Sequence, residues 1–531
     1  MTHPVLPGCY PDPSVCRVGE DFYLVSSSFG YHPGLPVHRS RDLREWELVG
    51  HAMTGESWLD LTGFGVSFGV WAPTVRFHEG RFYVVVTVAG DNGSGGLDAT
   101  AVAGTYLLTA PDVTGPWSAP HRLEAEGIDP DIFFDGDGRA WVCATRDSQT
   151  PGRGPGEFWT RELDLATLDL VGPTHVLWHG ALAGAWVEAP HVYLHEGRYH
   201  LIGAEGGTER NHSVTLAVAD AVTGPYRTDP RSPLLTHRHL GEGDPIQNVG
   251  HADLVEGPDG AWSALVLAVR PVQGHHTLGR ETFLVPAAWD ERGLLLAPGV
   301  GKVLGEPVAP PRPGRTDWVS LRGPVEHRIV DSGSAGREYG QDAGVPDVEL
   351  APRPGALAER GVPAFLGRRQ QDHTFAFSTR LDVADLVGRE ALDAGITAFQ
   401  DESAHLTLRV RRGSTGLAGL AVLRTGGVET ELARVPLPLG DLGEGSLGLA
   451  IRSDGTSYTA SIEVQGGAGE AGDAGDVVEG AAGWRDLATV PHSALSTETT
   501  GSFVGVVLGL VHQAPADAAP LRFGAVAYRP A

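Results

Sequence analysis

Tyr10-Pro11-Asp12-Pro13-Ser14 opens a unit, PSVCRVGEDFYLVSS (13–27), that the chain repeats four more times. It returns as PTVRFHEGRFYVVVT (73–87), PDIFFDGDGRAWVCA (130–144) and PHVYLHEGRYHLIGA (190–204). The fifth copy, ADLVEGPDGAWSALV (252–266), has Ala252 in place of the proline. The anchors Pro13, Pro73, Pro130, Pro190 and Ala252 are spaced by 60, 57, 60 and 62 residues. Each copy reads as a hairpin: an apolar strand, a Gly turn, then a strand rich in aromatics. A repeat of this length with several strands per unit is the signature of a propeller. Five copies predict a five-bladed β-propeller over residues 1–307.

Looser echoes follow the hairpins. SRDLREWELVG (40–50), APDVTGPWSAP (110–120), LDLATLDLVGP (163–173) and ADAVTGPYRTDP (219–230) read as third strand, turn and outer strand of a blade. The Pro-rich run VAPPRPGR (308–315) marks a stiff linker, placed at 308–320. Beyond it the repeat stops. HTFAFSTRLDV (373–383), AHLTLRVRR (404–412), LGLAIRSD (447–454), TSYTASIEV (456–464) and SFVGVVLGLV (502–511) alternate or run apolar between turns. They predict a β-sandwich over 321–531, in an all-β chain without helical periodicity. QGGAGEAGDAGDVVEGAAG (465–483) is acidic and of low complexity, and reads as a hairpin loop, not a site.

At 531 residues the chain suggests two domains, and its net charge of -26 argues against nucleic acid or an anionic membrane as partner. Cys9, Cys16 and Cys143 are too few for a disulfide framework or a metal knuckle. The start, MTHPVLPGCYPDPS, lacks the basic and apolar regions of a signal peptide, so a cytoplasmic location is expected.

The innermost strand of a blade starts near the propeller axis, so equivalent positions of the five copies converge. Just before the anchor stand Asp12, Ala72 (behind Trp71), Asp129, Ala189 (behind Glu188) and His251. Three blades thus offer a carboxylate where a small apolar residue packs at lower cost. Clustered carboxylates raise one another's pKa and cost stability, which favours a functional reading of the trio. Asp131 and Asp135–Asp137 read instead as turn and hairpin residues. Converging acids beside an aromatic wall suit glycoside hydrolysis, where one carboxyl protonates the leaving oxygen and another activates water or attacks the anomeric carbon. Phe29 and Trp71 are placed to stack on a sugar face.

YPDPS, GVWAPTVRFHEGRFYV, GIDPDIFFDGDG, EAPHVYLHEGRY, GHADLVEGPDGAW and LGRETFL, in this order on five periodic units, resemble glycoside hydrolase family 43. The similarity is greatest to the β-xylosidase and α-L-arabinofuranosidase branch, whose C-terminal sandwich opens much like AFLGRRQQDHTFAFSTRLDV (364–383). The resemblance implies an inverting mechanism with Asp12 as general base, Glu188 as general acid and Asp129 as the residue that tunes and orients the acid. It further implies that Arg270 contacts sugar hydroxyls and that His212 and His251 line the pocket. His251 would lie near any bound divalent cation such as Ca2+; no cofactor is otherwise implied. Homo-oligomers are common among such relatives. Two departures stand out: Ala189 replaces the usual glycine after the acid, and Thr499 occupies the position where the sandwich of that branch supplies an aromatic residue.

These features predict an exo-acting hydrolase that releases xylose from the non-reducing end of xylo-oligosaccharides, with activity on α-L-arabinofuranosides expected beside it. Two alternatives remain at this point. One is a five-bladed fructan hydrolase or transferase, although its nucleophile normally sits in a different Asp-Pro context. The other is an inactive carbohydrate-binding protein, against which the presence of all three acids argues.

Overall fold

A computed structural model describes residues 2–90, 102–182, 184–307, 317–330, 346–414, 416–438, 445–464 and 483–531. The chain divides into two compact units: Met1–Gly274 with Gly279–Thr316, and His275–Leu278 with Asp317–Ala531. The predicted Pro-rich linker and the low-complexity stretch fall largely outside the described residues. Cys9, Cys16 and Cys143 are buried and form no disulfide. No helix among the described residues is long and apolar enough to cross a membrane.

The first unit is the five-bladed propeller. Its four-stranded antiparallel sheets begin with the inner strands Ser14–Val18, Gly69–His78, Ile128–Phe134, Val187–His195 and Gln247–Glu256. Each sheet is built from strands of one local stretch of chain, so no blade borrows a strand from the far end of the chain to close the ring. Closure comes from other contacts. The N-terminal segment runs along the last blade, where His3 and Glu306 exchange backbone hydrogen bonds of 2.9 and 2.7 Å. The Gly8 N–H donates to Glu281 Oε1 at 2.8 Å.

The second closing device is a polar hub made by the residues just after the anchors: Ser14, Thr74, Asp131, His191 and Asp253, all 3% exposed or less. Asp253 of the fifth blade accepts from the Ser14 hydroxyl and Val15 N–H of the first (2.7 and 2.9 Å). It also accepts from Arg76 of the second (2.8 Å) and the Tyr193 hydroxyl of the fourth (2.5 Å). Arg76 reaches on to Asp131 of the third blade at 2.9 Å, and Asp131 accepts from the Val192 N–H at 3.0 Å. All five blades are thereby joined. Asp131 is therefore no turn residue, contrary to the expectation above. Its apolar neighbours disguise a charge whose partner, Arg76, lies on another blade. Asp135 and Asp137 do flank the hairpin turn.

Removing one partner of a buried ion pair leaves the other charge uncompensated. Asp253→Ala is thus expected to destabilise the propeller by about 3–5 kcal/mol, measured by denaturant unfolding. A loss below about 1 kcal/mol would show that the hub does not hold the ring.

The second unit is a β-sandwich. Its seven-stranded sheet centres on Thr374–Asp382, paired with Ser446–Asp454 and Leu521–Pro530. The six-stranded sheet centres on Asp393–Asp401, Ala404–Gly413 and Val507–His512. Thr374–Asp382 alternates buried and half-buried residues strictly, as one strand face turned to a core requires. That core holds Phe375, Phe377, Ile396, Leu408, Ile451, Leu510 and Phe523. The strand predicted over 502–511 begins only at Val507. Helix is confined, among the described residues, to single short turns such as Val383–Val387, capped by Asp382.

Candidate active site

Each inner strand of the propeller enters the ring through the same local distortion. Asp12, Ala72, Asp129, Ala189 and His251 all have left-handed backbones, with φ of 56, 40, 53, 53 and 41°. Four of them precede a proline, which ordinarily pushes its predecessor into the β region. In blades two to five the ladder also shifts register there, between Trp71 and Thr74, Ile128 and Asp131, Glu188 and His191, and Gly250 and Ala252. Left-handed non-glycine residues cost about 1–3 kcal/mol each and persist only where the surroundings enforce them. Such a kink re-aims the side chains beside it. Ala189, where the resemblance implies glycine, carries this strain as well.

The distortion presents two kinds of residue. Blades one, three and five offer the strained residue itself, as Asp12, Asp129 and His251. Blades two and four carry alanine there and offer the preceding residue, Trp71 or Glu188. The trio singled out in the sequence thereby converges: the charge of Glu188 raises Asp129, and the charge of Asp12 acts on both.

Their environments differ sharply. Asp12 is 4% exposed, and burial alone would raise its pKa. The Arg280 guanidinium (3.3 Å), His251 Nδ1 (3.3 Å) and the Ser27 hydroxyl (2.5 Å) more than offset that burial and hold it well below the carboxylate range. Glu188 is half-buried and has no such set of partners. Burial, then the negative charge of Asp12, push it up to about 7. Asp129 is raised strongly by burial and by the charges of Glu188 and Asp12. Asp129 and Glu188 behave as one coupled pair that retains a proton near neutrality, facing a carboxylate that is ionised. An acid and a base side by side at one pH is the arrangement that proton-assisted displacement requires.

The sequence reading placed the pocket arginine at Arg270. The structure sets Arg270 bidentate against Glu281 (2.7 and 2.9 Å), in the layer where Glu281 also receives the Gly8 N–H. The guanidinium beside the carboxylates is Arg280, which the sequence reading did not single out although LGRETFL contains it. The available signal was the pair Arg280-Glu281, two charges at the mouth of the apolar strand that continues as TFLV. Phe29, expected as a sugar platform, is 1% exposed and lies beneath Arg280, whose guanidinium carbon is 5.7 Å from the ring centroid. Its face supports the arginine. Trp71 stays half-exposed, with its indole N–H donated to Ser67 O at 3.0 Å and Phe68 stacked alongside at 5.8 Å.

His212 is 1% exposed and packs under Gly250, where a Cβ would come within 2.4 Å of the imidazole. Its Nδ1 faces the Asn248 carbonyl at 3.0 Å, while the buried Nε2 has no hydrogen-bond partner among the described residues. Burial lowers its pKa to about 4, so the ring is neutral and Nε2 is an acceptor. His251 turns Nδ1 to Asp12. No group of three or more His, Cys, Asp or Glu side chains among the described residues has metal-holding geometry, so the cation considered beside His251 has no protein cage there. Thr499, in the second unit, gives its hydroxyl to the Ser493 carbonyl at 2.7 Å.

Comparison with known proteins agrees with this geometry. Residues 1–295 match the profile of glycosyl hydrolases family 43, and residues 316–529 match the β-xylosidase C-terminal concanavalin A-like domain. A xylosidase/arabinosidase of Butyrivibrio fibrisolvens is 38% identical over 83% of this chain and 85% of its own. A non-reducing-end α-L-arabinofuranosidase of Bacteroides ovatus is 33% identical over 96% of this chain and 90% of its own. Among solved structures, a xylan β-1,4-xylosidase from Bacillus halodurans superposes with a TM-score of 0.82 at 29% identity, each chain covered in full. A match that runs through the propeller and continues into its companion sandwich leaves one assignment: this chain belongs to glycoside hydrolase family 43.

Proposed function

We propose that the enzyme removes single sugars from the non-reducing end of xylo-oligosaccharides with inversion at the anomeric carbon. The observation that carries this reading is the opposed basicity of the axial acids, with Asp12 held ionised and the Asp129–Glu188 pair holding a proton. Asp12 takes a proton from water as the water oxygen bonds to the anomeric carbon. Glu188 gives its proton to the departing glycosidic oxygen, so one proton enters the protein and one leaves it. Asp129 accepts the N–H of Ala189, the residue after Glu188, and so orients the acid. Arg280 and the Nε2 acceptor of His212 are placed for sugar hydroxyls. The fructan alternative ends with the family assignment.

Activity on α-L-arabinofuranosides is a second reading, favoured by the relatives named both as xylosidase and as arabinosidase. A panel of p-nitrophenyl glycosides tests both. The β-D-xyloside is expected to react, with the α-L-arabinofuranoside beside it, and EDTA is expected to leave the rates unchanged. Proton NMR during turnover should show α-xylose as the first product. First release of β-xylose would overturn the inverting assignment, and inhibition by EDTA reversed by Ca2+ would overturn metal independence.

A further inference from the structure

Ser27 lies two residues past the second strand of blade one (Asp21–Val25), outside the axial register that marks the carboxylates, and it is fully buried. Its backbone N–H is held by the Pro11 carbonyl at 3.1 Å. Its hydroxyl oxygen accepts the Ala72 N–H at 2.7 Å, and the hydroxyl donates to Asp12 Oδ2 at 2.5 Å. A serine hydroxyl has one proton. With the Ala72 N–H occupying a lone pair, that proton is committed to Asp12. Ala72 is the strained residue of blade two, at φ 40°, directly after Trp71.

We propose that Ser27 is a positioning residue that sets the base against the aromatic wall, tying the Asp12 carboxylate of the first blade to the Trp71–Ala72 kink of the second. The inference rests on the reading of Asp12 as general base. The charged and titratable groups that face Asp12 are Arg280 and His251 from blade five, Glu188 and His212 from blade four, and Asp129 from blade three. Arg280 and His251 act on Oδ1, both at 3.3 Å, whereas Ser27, alone among the described residues, engages Oδ2 by a short bond. Without the hydroxyl the carboxylate turns about its Cβ–Cγ bond, and the Ala72 N–H loses its acceptor. The base and the tryptophan then lose their common anchor.

The test compares Ser27→Ala, Ser27→Thr and Asp12→Asn on p-nitrophenyl β-D-xyloside, with melting temperatures measured for all three. For S27A, kcat/KM at pH 6 is expected to fall roughly 10- to 100-fold, the range for losing one hydrogen bond to a charged group. KM should rise as Trp71 loosens. The loss should be the same at pH 4 as at pH 6, because Arg280 and His251, which lower the Asp12 pKa more than Ser27 does, keep the base ionised. S27T keeps the hydroxyl and is expected to recover most of the activity. An S27A enzyme with wild-type kcat/KM overturns the proposal. So does a folded S27T protein as impaired as S27A. Should S27T not fold, the KM-against-kcat split of S27A decides: an unchanged KM overturns the tie to Trp71. Asp12→Asn separates the two readings: wild-type rates in D12N refute Asp12 as base, whereas an inactive D12N beside an unperturbed S27A refutes only the role of Ser27.

Discussion

Asp12→Ala is expected to lower kcat on p-nitrophenyl β-D-xyloside by roughly 10²- to 10⁴-fold, the range for loss of a positioned general base. A p-nitrophenolate leaving group needs little protonation, so this substrate isolates activation of the water. The same variant should alter the other half of the site. Glu188 is raised first by burial and next by the negative charge of Asp12. Deleting that charge removes the second contribution and keeps the first. On xylobiose, whose leaving group needs the acid, the alkaline limb of the kcat/KM profile should therefore move below the wild-type position near 7 while remaining above the range of an ordinary glutamate. Arg280 and His251 would lose their shared carboxylate, so the melting temperature is measured alongside to confirm a folded variant. A variant of wild-type rate would remove Asp12 from the mechanism. A slow variant with an unmoved alkaline limb would show that the two acids do not sense each other.

The trio was legible in the sequence because the chain carries its own comparison. Five copies of one unit expose the position that varies, and Asp12, Asp129 and Glu188 stand out against alanine and histidine at that register. The same comparison, moved along the strand, contained the hub: Ser14, Thr74, Asp131, His191 and Asp253 are all polar where an inner strand should pack apolar side chains. Reading Asp131 alone hid this, since a buried carboxylate and a turn carboxylate look alike until the partner is known. That partner, Arg76, sits at another register of a different blade. Arg280 and Ser27 were illegible for another reason. They act on Asp12 across 268 and 15 residues of sequence, and neither stands at the axial position where the five copies were compared. Arg270 misled because an arginine closing an apolar strand looks the same whether it faces a sugar or Glu281.

The repeated strain at the axis and the buried charges beside it have one consequence for stability. The fold holds five left-handed residues and a protonated carboxyl pair at its centre, and the hub just below supplies the rigidity that keeps them there. A site arranged in this way is less stable than an uncharged version of itself. Glu188→Gln tests that statement together with the chemistry.

Glutamine at 188 keeps the shape of the acid and has no proton to give. On a substrate with a poor leaving group, such as xylobiose, kcat/KM is expected to fall by roughly 10²- to 10⁴-fold. On p-nitrophenyl β-D-xyloside the loss should be much smaller, since that aglycone departs without help. The wild-type profile on xylobiose should decline above pH 7, as Glu188 must be protonated to act and its pKa lies at about 7. The decline should be absent from the residual activity of E188Q. Stability should move the other way. The folded pKa of Glu188 is raised from 4.5 to about 7, so its protonated form is favoured in the fold. The associated stability is complete below the unfolded pKa and is lost as pH rises through 7. A tenfold change in proton affinity is worth about 1.4 kcal/mol, so after allowance for partial exposure the ionised glutamate costs about 2–3 kcal/mol at pH 8. E188Q avoids that cost. It should therefore unfold at higher denaturant than the wild type at pH 8, with the advantage shrinking towards pH 4.5. An inactive variant with no gain at pH 8 would leave Glu188 as the acid but refute its raised pKa. Equal losses on both substrates would remove it from the role of proton donor.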